Sequence, residues 1–193
     1  MRARDCRELV QKWQREGSFD ELLLEVAALR GIPQPEQYHA EGDAFIHTML
    51  AVASVDDVAD ARVFWAVLLH DIGKAETTAF SHGRWRALGH AEAGAARVPG
   101  VMKRIGFPGL AHDVAWLVRQ HLFHFSWHLR EDGGLSKQQR HFMEQPLFAL
   151  LLEVCYADAA GSQGSSDKGH KLRLIGEMYA EEIAGEKWSD GRT

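Results

Sequence analysis

His70 and Asp71 stand at the end of the apolar run Val63-Phe64-Trp65-Ala66-Val67-Leu68-Leu69. A carboxylate beside an imidazole is costly at the end of a buried helix unless something compensates it. A bound cation is the commonest compensation when further His and Asp side chains are within reach. His47, His90, His121 and Asp158 supply them, each closing an apolar helical stretch or opening a capped one. Val114, Leu117, Val118 and His121 fall at i, i+3, i+4 and i+7 and so share one helix face. Asp158 continues the stripe of Leu147, Leu150, Leu151 and Val154, and His47 shares a face with Asp43, Leu50 and Ser54. Ligands carried by helices that pack together are how a metal site is built in a helical core.

Each residue alone has a plainer reading. A single buried His is more often a hydrogen-bonded core residue than a ligand. Asp158 alone could serve the turn before Gly161-Ser162, and Asp43 reads as a helix cap. Asp71 resists such a reading most, because it follows an apolar run and a His, where an unpaired carboxylate is strongly disfavoured. Around it, Lys74 follows His70 by four residues and either meets a substrate phosphate or faces solvent at a helix end. Arg84-Trp85-Arg86 either grips a phosphate and stacks a base or is an anchored Trp between two solvated arginines. His124 and His128 follow His121 at i+3 and i+7 and offer an acid or a phosphate contact.

The elements that must position these residues are almost all helical. The spacing predicts helices over about 5–16, 18–31, 44–57 and 61–72, with Ser18 and Asp43 as caps and Gly73 as a stop. Residues 74–89 read as an irregular loop. His90 opens a helix that Pro99-Gly100 is expected to interrupt. Pro108 starts the next, through Trp116 to His121. The aromatic segment 122–134 ends in Gly133-Gly134, a further element spans about 136–144, and Pro146 starts another. Gly161-Ser162-Gln163-Gly164-Ser165-Ser166 reads as a flexible linker before an amphipathic helix bearing Leu172, Ile175, Met178, Tyr179 and Ile183. No segment shows clean period-two alternation, so no strand is expected.

With 193 residues, 46% hydrophobic and 25% charged, the chain can bury one sizeable core. A net charge of -5 does not suit a dedicated duplex-DNA binder, though a local basic site for a small phosphorylated substrate or one RNA end is compatible with it. Cys6 and Cys155 form no CxxC pair, which suits a reducing cytoplasm. No signal peptide and no membrane span are expected. No G-x-x-x-x-G-K-[ST] occurs, so kinase chemistry and nucleotide addition are not expected.

The ordered series His47 … His70-Asp71 … Asp158 resembles the HD superfamily of metal-dependent phosphohydrolases. Tyr38-His39-Ala40-Glu41-Gly42-Asp43 with His47-Thr48, Leu69-His70-Asp71-Ile72-Gly73-Lys74, Gly89-His90-Ala91-Glu92-Ala93-Gly94-Ala95 and Ala157-Asp158-Ala159-Ala160-Gly161 resemble the HD domain of bacterial tRNA nucleotidyltransferases and RNA end-healing enzymes. That resemblance implies an all-α, single-domain helical HD-domain fold. Its core would span 38–161, with a helical extension over 1–37 and a linker and C-terminal helix over 162–193. It implies that His47, His70, Asp71 and Asp158 hold one divalent metal and that Asp71 bridges to a second held by His90 and His121. Mn, Fe, Ni, Co and Zn all suit such ligands. The implied reaction is hydrolysis of a phosphomonoester or cyclic phosphodiester of a nucleotide or RNA 3′ end. Asp71 and Lys74 would be catalytic, and Lys74, Arg84, Arg86 and His124 would touch substrate. Two rivals stand beside it. Some two-metal relatives are di-iron oxygenases, and Tyr38 with Glu41 resembles a substrate-gating pair there. A non-catalytic metal-binding module is the other.

Overall fold

Residues 61–69 are apolar on every side except at Arg62, and such a helix is stable only when other elements surround it. The chain is built around it in the computed structural model, which describes residues 1–129, 134–164 and 168–190. The elements run α1 (Ala3–Glu16), α2 (Phe19–Leu22), α3 (Leu24–Ala27), α4 (Ala44–Ala53), α5 (Ala61–Leu69), α6 (Lys74–Thr77), β1 (Thr78–Ser81) and β2 (Arg84–Ala87). They continue with α7 (His90–Arg104), a 3-10 turn (Pro108–Leu110), α8 (Ala111–Gln120), α9 (Phe123–Ser126), α10 (Lys137–Met143), α11 (Phe148–Gly161) and α12 (Lys168–Asp190). Every residue of α5 except Arg62 is buried, and α1, α4, α8 and α11 pack around it. Asp60 caps α5 through Arg62 N, and Arg62 bridges Asp60 to Asp113, tying the start of α5 to α8.

The caps follow the local chemistry. Asp43 accepts from Ile46 N at 2.9 Å and also from Gly31 N at 2.7 Å, which pins the Pro-containing connector to the start of α4. Ser136 and Gln139 form a capping box at α10. Ser18 makes no capping bond, and the expected helix over 18–31 splits at Leu23, whose φ of -126° and ψ of 46° leave the helical region.

Three further expectations are corrected. Helix α7 runs through Pro99 and Gly100 without interruption. Both lie on its exposed side, and burial of Val98, Val101 and Met102 on the other outweighs the missing N–H. Residues 74–89 are not an irregular loop but a helical turn and an antiparallel hairpin, with Thr78 opposite Ala87 and Ser81 opposite Arg84. Gly73 is not a left-handed stop, since its φ is -69°. A Cβ there would stand 2.1 Å from His90 O and 2.7 Å from Gly94 N. The turn after Asp71 thus presses directly on the start of α7, and only glycine allows it.

The aromatic segment does two things. Phe123 and Trp127 join Phe142 and Phe148 in a cluster with ring centroids 5.1–6.3 Å apart. His124 and Phe125 face a cavity instead. Gly133, Ser165 and Ser166, assigned to loops from sequence, lie outside the described residues. Leu172 and Ile175 of α12 are fully buried, and α12 packs on α11. Among the described residues no helix is long and apolar enough to cross a membrane.

Candidate metal centre

Five helices and the turn after α5 bring six side chains to one place. His47 projects from the middle of α4, His70 ends α5, and Asp71 follows it. His90 opens α7, His121 ends α8, and Asp158 sits near the end of α11. All six are buried. Gly161 lets α11 close on α4: a Cβ there would meet Ala51 N at 2.8 Å. Asp158 is one turn earlier, and its Oδ1 lies 3.0 Å from His47 Nε2.

Three imidazoles are held in the same way. The Nδ1 atoms of His70, His90 and His121 lie 2.7, 2.7 and 2.6 Å from the carbonyl oxygens of Val67, Ala87 and Val118, each three residues back. A carbonyl only accepts, so Nδ1 carries the proton and donates. His47 Nδ1 donates likewise to Glu41 Oε1 at 2.9 Å. Burial works to raise the Glu41 carboxyl, but hydrogen bonds from Gln163 N and His39 outweigh it and hold it below its usual range. Every Nε2 therefore presents a lone pair inward when the ring is neutral. Burial, with His70 and His90 nearby, pushes His121 down to about 3, so its ring is neutral.

These lone pairs meet one another. His70 Nε2 lies 3.3 Å from His47 Nε2, and His90 Nε2 lies 3.3 Å from His121 Nε2. Asp71 stands between the two pairs: Oδ2 is 3.2 Å from His70 Nε2, and Oδ1 is 3.3 Å from His90 Nε2. Acceptors packed this closely repel until a cation stands among them. The donor set fits a divalent ion, mixing neutral imidazole with carboxylate, and an outer ring of acceptors orients the rings. His47-His70-Asp71 and Asp71-His90-His121 each gather within ligating distance, with Asp71 common to both. His39, Glu41 and His47 form a third such group, in which Glu41 bonds both rings from behind.

Positive charge enters beside the carboxylates. Lys74 Nζ is 2.7 Å from Asp71 Oδ2 and 2.6 Å from Gln34 Oε1. Lys168 Nζ is 3.1 and 3.0 Å from the two oxygens of Asp158. Burial works to raise both Asp carboxyls. His70 and Lys74 overcome it at Asp71, and Lys168 and His47 at Asp158, so both stay well below the usual range.

Asp71, His90, His121 and Asp158 line a cavity of about 640 Å³. Lys74, Lys168 and Lys171 reach it, as do His39, His124 and Phe125. His124 is buried, both its ring nitrogens lack a partner, and burial pushes it down to about 4. His128 is exposed. Arg84 is exposed on β2, and Arg86 lines a neighbouring chamber; neither lines the main cavity. Tyr38 lines the main cavity, whereas Glu41 lies behind His47. Sequence reasoning missed Lys168 and His39. Lys168 had one local signal: a cation in the first turn of a long helix runs against the helix dipole and so needs a carboxylate elsewhere.

A helical domain whose packed helices converge on a buried His/Asp centre is the class that fold and site define. The family model for the HD domain matches residues 38–160, and the chain belongs to the HD domain family, a superfamily of metal-dependent phosphohydrolases. Its similarity extends to multifunctional CCA proteins. That of Alkalilimnicola ehrlichii is 37% identical over 169 residues, covering 84% of this chain and 40% of its own length. That of Halorhodospira halophila is 40% identical over 173 residues, covering 82% and 39%. That of Pasteurella multocida is 32% identical over 182 residues, covering 88% and 42%. The chain thus spans about two fifths of the length of these relatives.

Proposed function

We propose that the protein hydrolyses a phosphomonoester or 2′,3′-cyclic phosphodiester at the 3′ end of an RNA or on a nucleotide, using one or two divalent ions. The observation that carries this reading is Asp71, which lines a cationic cavity and is shared by two pairs of inward-facing imidazoles. The similarity to multifunctional CCA proteins, and the likeness to the HD domain of tRNA nucleotidyltransferases, support RNA as the substrate class. A net charge of -5 is in keeping with recognition of one end rather than a duplex. Two buried thiols suit a cytoplasmic setting.

His47, His70, Asp71 and Asp158 would hold one ion, and Asp71, His90 and His121 a second. Bound divalent ions supply Lewis acidity and a water acidic enough to ionise near neutral pH. The protein side chains do the rest. Asp71 orients both halves of the site and accepts the proton of the attacking water. The Lys74 ammonium, 2.7 Å from Asp71, offsets charge on the phosphoryl oxygens as a point charge. His124 turns an unpaired imidazole to the cavity and contacts the departing or non-bridging oxygen. Asp71→Ala is expected to abolish metal-dependent hydrolysis of 2′,3′-cyclic and terminal monophosphates while leaving the helical circular-dichroism spectrum intact. Undiminished turnover by that variant rules the reading out. Elemental analysis of the purified protein identifies the ion.

A further inference from the structure

A second chamber, of about 120 Å³, adjoins the main cavity behind Lys74. Gln34, Thr78, Trp85 and Arg86 wall it, and Lys74 and His90 stand between it and the main cavity. Three buried polar atoms of these walls have no partner among the described residues: Gln34 Nε2, Thr78 Oγ1 and Arg86 Nε. Gln34 is only 9% exposed. Its amide is oriented, because Oε1 accepts from Lys74 Nζ at 2.6 Å and Nε2 is the end left over. Among the described residues no carboxylate pairs with Arg86.

The unpaired groups share one chemistry. The amide and guanidinium nitrogens can only donate, and the hydroxyl can donate too. Burying such a set with no acceptor is costly, and most so for the guanidinium. One anion would remove the cost for all of them. Pockets for drug-sized ligands begin at about 300 Å³, so this chamber is too small for a nucleoside but roomy enough for one tetrahedral oxyanion. Trp85, 38% exposed, would offer a stacking face to a base attached to that anion.

We propose that this chamber binds the internucleotide phosphate lying 5′ to the terminal nucleotide of an RNA strand. The inference rests on the phosphohydrolase reading above and sharpens it: the terminal phosphate meets the metal centre and the preceding phosphate meets Arg86, Gln34 and Thr78. The preferred substrate is then an RNA end of at least two nucleotides, not a free mononucleotide.

The test compares two non-hydrolysable analogues, adenosine 3′-phosphonate and the adenylyl-adenosine dinucleotide bearing a 3′-phosphonate, in each of which a methylene group replaces the bridging 3′ oxygen. Each is titrated calorimetrically into metal-loaded protein. The dinucleotide is expected to bind about tenfold tighter, the scale of one charge-assisted hydrogen bond. Arg86→Gln and Thr78→Val should each remove most of that preference, and Thr78→Val, nearly isosteric, serves if the first variant fails to fold. Equal binding of the two analogues by the natural protein overturns the inference. So does a preference that survives both substitutions, which would leave the donors satisfied by water. Saturable binding of inorganic phosphate without a dinucleotide preference also overturns it. Because binding is read without turnover, a preference with no hydrolysis sinks only the proposed reaction, and hydrolysis with no preference sinks only this chamber's role.

Discussion

Glu41 shows how much of the centre is decided one shell away from the inward-facing nitrogens. Its Oε1 accepts from His47 Nδ1 and from His39 Nδ1, and its Oε2 accepts from Gln163 N. It therefore holds the tautomer of His47 and ties the chain after α11 to the segment before α4. Glu41→Leu keeps the bulk and removes both acceptor oxygens, so the bond from His47 Nδ1 is lost. Loss of such an outer contact typically costs about 10- to 100-fold in metal affinity. The expected result is a fall of that size in competition titration with a coloured chelator, with little change in melting temperature. Unchanged affinity would mean that the Glu41 bond to His47 is dispensable. At this scale the sequence was most informative about Asp71. Its position after an apolar run already demanded a compensating partner.

Elements meet at glycine contacts, and these set how closely the six side chains approach. Gly73 lies against the backbone of His90 and Gly94, and Gly161 lies against Ala51. Gly73→Ala would force the turn carrying Asp71 away from α7. Overpacking of this kind costs about 1–3 kcal/mol, and it would also separate Asp71 from His90. A lower melting temperature and a lost response to the second equivalent of metal are the expected outcome, read by thermal denaturation and metal titration. A variant with natural stability and stoichiometry would show that the turn has room to move. Neither contact was legible in the sequence. Gly73 looked like a helix stop, because glycine after a helix usually takes a left-handed conformation, and only the neighbour's backbone reveals the close approach. Pro99 misled for a related reason: local propensity reports a cost, while the buried face of α7 supplies the larger opposing gain.

For the whole molecule, the centre concentrates buried polar groups inside a mostly apolar core. The folded chain holds six potential ligands together that the unfolded chain scatters between residues 47 and 158. Ion binding should therefore favour the folded state. At free metal 100-fold above Kd the linkage is about 2.7 kcal/mol. For a domain of this size that corresponds to a rise of roughly 5–10 °C in melting temperature. Adding Mn, Ni or Co to chelator-treated protein should produce the shift, and the chelator should reverse it. A melting curve indifferent to all divalent ions would count against any metal at this site.

What the sequence determined by itself was the helical class, the central place of α5, the helix faces that carry His121 and Asp158, and the family resemblance. Those depend on period, composition and order along the chain, all of them local properties. Only the tertiary structure decided that Lys168 reaches Asp158, that Glu41 stands behind His47, and that Arg86 faces a separate chamber with Gln34 and Thr78. These pairings join residues whose separation along the chain carries no signal. Close contact between packed elements, not the propensity of any one of them, determines which charges and donors meet.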